Sequence, residues 1–176
     1  MIISRIYGEG DAKTANIHMY IGALYRRQGR LNDAFDQYRR TLEIEWSCPV
    51  TVAEAMAGVG DTYYSRECYD EALRFYENAL KIKQNALDDN DVGTAAITMC
   101  IGLAFFRRED WSLAWKKMDR ARDIWQRTLG SFHPQTLYAR DVADEVRSWD
   151  KRKKRKKFAK RCRQLWRGIE EFWAIK

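Results

Sequence analysis

One spacing constrains this chain more than anything else in it. Gly22, Gly60 and Gly102 stand 38 and then 42 residues apart, and Ala34, Ala72 and Ala114 repeat the same two intervals. Two independent landmarks sharing one pair of unequal intervals mean that a single unit has been copied along the chain. Between the landmarks, an aromatic recurs at Tyr25, Tyr63 and Phe105, a bulky residue at Tyr38, Tyr76 and Met118, and a small one at Thr41, Ala79 and Ala121. A unit of this length cannot bury its own apolar face, so the copies must lean on one another.

Each unit reads as two helices. Met56, Val59, Gly60 and Tyr63 are spaced three, one and three apart, and Ala72, Leu73, Tyr76, Ala79 and Leu80 one, three, three and one, so each stretch presents one apolar face. Glycine on the first helix and alanine on the second let the two backbones approach, with the rings of Tyr63 and Tyr76 filling the space beside them. The second helix of each pair is expected to open on a side-chain cap at Asn32, Asp70 and Ser112. Gly29 suits a left-handed helix stop, whereas the turns at Cys68 and Asp110 must close by other means. The predicted pairs are 14–28 with 32–46, 51–66 with 70–87, and 93–108 with 112–129, followed by a lone first-type helix from Pro134. Pro49 stops one helix in the short link around Cys48.

These landmarks resemble those of the tetratricopeptide family, whose unit is a helix pair with glycine, aromatic and alanine at these places. The connections YGEGDAKT, DDNDVGT and LGSFHPQT each set a threonine six residues after their first landmark, at Gly8, Asp88 and Gly130. With His133, Pro134 and Thr136 in the last, the long connection is similar to that of the kinesin-light-chain branch and its 42-residue repeats. The resemblance spans about residues 2 to 149 and implies an all-α fold: a right-handed α-solenoid of antiparallel pairs. It divides the chain into the end of a preceding helix and its connection (1–13), repeats at 14–46, 47–87 and 88–129, a fourth first helix (130–150) and a basic amphipathic C-terminal helix (151–176). On this reading Ile2, Ile3 and Ile6 form the last turn of a second-type helix, and that end of the array is sticky or frayed.

Composition narrows the function. The chain of 176 residues is 45% hydrophobic and 13% aromatic with only two prolines, which suits a folded helical protein. No apolar run approaches the roughly 20 residues that span a bilayer, and no secretory or mitochondrial leader is legible, so a cytoplasmic location is expected. Cys48, Cys68, Cys100 and Cys162 are too scattered for a redox pair or a zinc knuckle and read as free thiols. His18 and His133 lack a partner at ligand or dyad spacing, and no glycine-rich phosphate loop occurs. Asp88, Asp89 and Asp91 lack the alternation of a calcium loop. The expectation is a chain with no enzymatic activity, metal or cofactor.

What remains is binding to another protein or peptide. First-type helices line the inner surface of such an array, and projecting that face gives Asn16, Met19, Arg26 and Arg27, then Glu54, Asp61 and Tyr64, then Met99, Leu103, Phe106 and Arg107, then Asp141 and Glu145. Met99, Leu103 and Phe106 form an apolar patch between charges of both signs, which suits a peptide with hydrophobic anchors, or else Leu103 and Phe106 pack beneath a neighbouring helix. Kinesin light chains contact peptide backbone through a ladder of asparagines. Here those places hold Met19, Tyr20, Ala57, Gly58, Met99, Cys100, Asp141 and Val142, so that mode is not carried over.

The tail is the second feature. Residues 151–176 hold twelve Lys and Arg against Glu170 and Glu171, a net +10, while residues 1–150 hold 20 against 23, a net −3. The run Lys151, Arg152, Lys153, Lys154, Arg155, Lys156 and Lys157 is followed by Phe158, Cys162, Leu165, Trp166, Ile169, Phe172 and Trp173 at helical intervals. One reading lays this helix on the last array helix near Val142, Val146 and Trp149 as a cap. Others make it a nuclear-import signal, a lipid-surface or calmodulin-type adaptor, or a nucleic-acid contact that no base-reading motif accompanies. The principal expectation is a groove-binding scaffold, and the alternative is a membrane-surface, calmodulin or nucleic-acid adaptor working through this helix.

Overall fold

The computed structural model describes residues 12–44, 48–86 and 91–152. Within them the chain forms seven helices and no strand: α1 (Ala12–Arg27), α2 (Leu31–Ile44), α3 (Pro49–Ser65), α4 (Tyr69–Ala86), α5 (Val92–Arg107), α6 (Trp111–Leu129) and α7 (Pro134–Arg152). They pack as the pairs α1/α2, α3/α4 and α5/α6, with α7 laid on α6. Second-type helices touch the next first-type helix (α2 on α3, α4 on α5), and first-type helices touch one another. This is an α-solenoid. The expected helix at Ile2, Ile3 and Ile6, Asp88, Asp89, Cys162 and the tail from Lys153 lie outside the described residues; Lys151 and Arg152 belong to the backbone of α7.

The landmark glycines are seats for side chains of the second-type helices. A Cβ on Gly60 would stand 2.7 Å from the Tyr76 ring, and one on Gly102 would stand 2.8 Å from Met118 Cγ. Tyr38 is wedged between two helices: a Cβ on Gly22 of α1 would meet its ring at 2.9 Å, and one on Gly58 of α3 at 2.5 Å. Ala34, Ala72 and Ala114, the facing landmarks, have no exposure at all. Tyr63 stacks on Phe75 at 5.3 Å and meets Phe35 edge-on, so the aromatic landmark ties one pair to the next.

The turns inside the pairs correct two expectations. Gly29, Glu67 and Glu109 occupy one position in the three units, and all are left-handed, with φ of 74°, 62° and 62°. Each is followed by the same closing bond, donated by the amides of Arg30, Cys68 and Asp110 to the carbonyls of Tyr25, Tyr63 and Phe105 at 2.9, 3.0 and 2.9 Å. Gly29 is the left-handed stop the sequence suggested, and in the other two units that residue stands one position before Cys68 and Asp110. The helix caps are displaced as well: Arg30, Cys68 and Asp110 are the capping residues, and Asn32, Asp70 and Ser112 stand inside the helices instead. Only Asp110 caps with its side chain, accepting from the Leu113 amide at 3.2 Å. Asn32 and Asp70 do something else in common. Asn32 accepts from the Arg66 guanidinium and Asp70 pairs with Arg108 at 3.0 Å, so this position latches each unit to the one after it.

The long connections follow a pattern of their own. Thr14, Thr94 and Thr136 are all buried. Asp91 caps α5 through the Thr94 amide at 2.9 Å, and His133 does the equivalent work before α7, its Nδ1 accepting from the Gln135 amide at 3.3 Å. Before α3, Cys48 takes an extended conformation and Pro49 opens the helix, which starts two residues earlier than expected because proline is already shaped for that position. The other histidine, His18, is buried and 2.7 Å from Gln37 Oε1.

The inward face of α7 is part of the core. Ala139, Ala143 and Val146 of α7 are buried with Met99, Leu103, Ala114, Met118 and Trp125, and Trp149 packs on Phe106 at 5.7 Å and Trp111 at 6.2 Å. The outward face of α7 carries Arg140, Asp141, Asp144 and Arg147, all exposed. Of the three residues expected to receive a cap, Val146 is buried and Val142 and Trp149 are half-buried; the cap itself falls on residues outside those described.

Candidate partner-binding groove

The first-type helices meet along three seams, and five of the projected groove residues, Arg26, Asp61, Tyr64, Phe106 and Arg107, sit on them. Between α1 and α3 the seam is polar. Asp61 lies 3.6 Å from the Arg26 guanidinium and accepts a 2.7 Å hydrogen bond from the Tyr76 hydroxyl. Asp61 is the main cause that raises the Arg26 pKa, against the opposing effect of burial. Burial first, and Asp61 second, push Tyr38 up and Tyr76 well up. Both hydroxyls therefore stay protonated, and that of Tyr76 donates to Asp61. Burial and Asp61 also raise the Cys100 thiol, which leaves it a packing group rather than a nucleophile.

Between α3 and α5 the seam is aromatic. Tyr64 is half-buried and meets Tyr69 edge-on at 5.5 Å, and Arg107 donates to the Tyr69 hydroxyl at 2.7 Å while approaching Glu67 at 3.4 Å. Between α5 and α7 it is aromatic again, through Phe106, Trp111 and Trp149, with Phe106 and Trp111 5.3 Å apart. Met99 and Leu103 are withdrawn from the lining: Met99 has no exposure and Leu103 has 7%, because α7 closes over them. The alternative of packing beneath a neighbour therefore holds for Leu103, and the apolar patch is reduced to a half-buried Phe106.

The rest of the projected set is open. Asn16, Arg27, Glu54 and Asp141 are exposed, while Met19 and Glu145 are half-buried. Asn16 and Arg27 share a stripe with the exposed Tyr20 and Leu24 rather than with the Asp61 seam. Asp141 lies 3.0 Å from Arg140.

One charged residue escaped the sequence reading. Lys83, on α4, has 4% exposure and its Nζ stands 3.5 Å from Glu54 and 3.2 Å from Asp91, so it joins α3, α4 and the start of α5. Gly93 makes room for it, since a Cβ there would run into the ammonium. Burial works against the Asp91 carboxylate, yet the Thr94 amide and Lys83 hold its pKa below the ordinary value. No signal in the local sequence marks Lys83, because both carboxylates come from other elements.

Among the described residues no group of His, Cys, Asp and Glu could hold a metal ion, and no described helix is long and apolar enough to cross a membrane. Cys48, Cys68 and Cys100 form no disulfide with one another.

Two family models, both described as tetratricopeptide repeat, match residues 51–114 and 14–44. Among curated proteins, a clustered mitochondria protein homolog of Brugia malayi is 29% identical over 90 residues, which is 51% of this chain and 6% of that protein. The chain thus corresponds to a small part of that relative's length. Among solved structures, BtubC (BKLC) from P. vanneervenii superposes with a TM-score of 0.65 at 21% identity, covering 71% of this chain and 51% of the other. The N-terminal domain of stress-induced protein-1 (STI-1) from C. elegans superposes with a TM-score of 0.57 at 18% identity, covering 78% and 98%. At these identities the superpositions speak to fold, and they agree with the repeat spacing and the stacked pairs. The chain belongs to the tetratricopeptide repeat family and carries kinesin-light-chain-like repeats.

Proposed function

We propose that the edge formed by the first-type helices α1, α3, α5 and α7 binds a segment of a partner protein whose side chains are mainly polar and of mixed charge, with one apolar anchor beside Phe106. The observation that carries this is the replacement of the broad apolar patch by a line of exposed polar groups. Glu54 and Asp141 are open to solvent, while Met99 and Leu103 belong to the core. A groove of that kind selects by hydrogen bonds and charge, with a small hydrophobic contribution. The seams beneath it are fixed by Arg26 with Asp61 and by the Tyr64 and Phe106 ring contacts, so the surface is preformed and loses little entropy on binding. No catalytic constellation accompanies it, and the reading is of binding without chemistry.

The test is a partner isolated with the full chain, measured against Asp141→Lys and Phe106→Ala proteins that retain wild-type circular dichroism. Each should weaken binding about ten-fold or more, while a chain lacking residues 153–176 should bind as before. Binding that survives both substitutions, disappears with the tail and falls steeply between low and moderate salt would move the function to the basic segment.

A further inference from the structure

The stretch from Lys153 onward lies outside the described residues, but the face of α7 on which a fourth second-type helix would sit is described. In each closed pair the second-type helix brings a bulky side chain to a glycine of its partner, Tyr38 to Gly22, Tyr76 to Gly60 and Met118 to Gly102. At 42 residues beyond Gly102 and Phe105, α7 carries Asp144 and Arg147, and one turn earlier it carries Arg140; all three are exposed. Arg147 lies over the Trp115 ring of α6 at 4.9 Å, and Arg140 stands 3.0 Å from Asp141. At 42 residues beyond the buried Ala114, Met118, Ala121 and Trp125 stand Lys156, Lys160, Arg163 and Arg167. Both halves of the fourth seat are charged where those of the other three are small or apolar.

Neither way of laying 153–176 on that face is favourable. In the register of the other pairs, four cations would meet two arginines and one aspartate, an excess of like charge. The apolar residues Phe158, Leu165, Trp166, Ile169, Phe172 and Trp173 fall on the opposite side of a helical wheel from Lys156 and Lys160. Turned by half a turn, the stretch would set these against Arg140, Asp144 and Arg147 and take three ionised side chains out of water. A surface that suits both sides of the stretch has to be apolar beneath and anionic above. The run 151–157 holds no acidic residue, and Lys160, Arg161, Arg163 and Arg167 extend it along the polar side. That pattern matches a diffuse sheet of anions better than one or two placed carboxylates. Nucleic acid supplies the sheet but has no place for a row of apolar side chains. An anionic bilayer supplies both, and Trp166 and Trp173, seven residues apart on one line, suit the level of its headgroups.

We propose that residues 151–176 attach the chain to an anionic lipid surface, lying in the headgroup plane as an amphipathic helix with the apolar stripe toward the acyl chains and the cations on the headgroups. The basic run begins with the last two residues of α7, Lys151 and Arg152, so the array is held next to that surface. The site is separate from the groove proposed above.

The test sediments the full chain with vesicles of phosphatidylcholine alone and of phosphatidylcholine with phosphatidylserine. Partition into the anionic vesicles should exceed that into the neutral ones about ten-fold or more. It should fall about ten-fold in Trp166→Ser/Trp173→Ser and in Lys153→Gln/Lys154→Gln/Arg155→Gln, with circular dichroism unchanged. No partition, equal partition into both vesicles, or indifference to the two tryptophans overturns the proposal. So does a tighter complex with a DNA duplex or with calcium-loaded calmodulin than with the vesicles, which would give the cations to nucleic acid or to an acidic groove. A lower urea midpoint, or a change from dimer to monomer, in a chain lacking residues 153–176 also overturns it, because the array or a second copy would then cover the stripe.

Discussion

The two terminal helices of the described array, α1 and α7, face the same physical problem and answer it oppositely. Each has a face that, within the array, another helix would cover. On α7 the places held in the units by Gly22, Gly60 and Gly102 and by Tyr25, Tyr63 and Phe105 are taken by Asp144 and Arg147, both exposed. Charge at those places leaves no glycine seat of the kind that Tyr76 and Met118 occupy on Gly60 and Gly102. On α1 the uncovered face keeps Tyr20 and Leu24. The difference teaches that two helices of one repeat plan can carry charge on the outward face at one place and apolar side chains at the other, with the inward residues of both still built to the common plan.

The sharpest test of this contrast removes one aromatic at each end. Trp125 is fully buried where α6 receives α7, and its indole donates to the Val92 carbonyl at 3.3 Å. Trp125→Ala should cost about 3–5 kcal/mol in chemical denaturation, and Tyr20→Ala should fall within about 0.5 kcal/mol of wild type. A substantial loss from Tyr20→Ala would show that α1 is covered in the free protein and would abolish the contrast.

A smaller effect probes the coupling between the ends. Gly60 sits in the central pair under Tyr76, and Gly60→Leu should overpack that junction by about 1–3 kcal/mol, lowering the urea midpoint. Were the two ends separate units, the denaturation would split into two transitions; if they are coupled, the midpoint shifts as one.

Next comes a gain. The turn nearest α1 uses Gly29 in the left-handed conformation, and the turn nearest α7 asks the same of Glu109. Glu109→Gly should raise stability by up to about 1 kcal/mol by relieving the side-chain clash, less the entropy that glycine loses on folding. Gly29→Glu should lower it by a similar amount. Thermal melts of the two variants compare the ends directly, and a loss in Glu109→Gly would mean that its side chain makes a contact outweighing the strain.

The sequence made the repeat visible because the landmark residues act locally. A glycine under a ring and an alanine facing it are demanded by one pair of helices, so Gly60, Tyr76 and Ala72 stand out at fixed spacing and the structure seats them together. What stayed hidden depends on residues brought in from elsewhere. Met99 and Leu103 look like groove positions on a projection of α5 alone, and only the core they share with α6 and α7 buries them. Asn32 and Asp70 look like caps because they can cap. The left-handed residue before Arg30 and Cys68 supplies the closing bonds through the main chain, and the side chains are left for Arg66 and Arg108. Lys83 reads as one more surface lysine until Glu54 and Asp91 arrive from two other helices.

That last cluster gives the smallest expected effect and the one most specific to the half of the array leading to α7. The α5 cap is a carboxylate, whereas α3 opens after Cys48 without any side-chain cap. Asp91 has its pKa lowered in the folded chain, the Thr94 amide and Lys83 outweighing burial. A carboxylate with a depressed folded pKa stabilises the fold above its unfolded value of about 4, and the contribution fades as pH falls through the folded pKa. Asp91→Asn should therefore be less stable than wild type at pH 7, by about 1 kcal/mol at most since an asparagine still caps, and the two proteins should converge by about pH 2–3. Hydrogen exchange across the same pH range should show the loss of protection at the start of α5 and not at the start of α3. A stability difference that persists at pH 2 would mean that the Asp91 carboxylate acts through packing rather than charge.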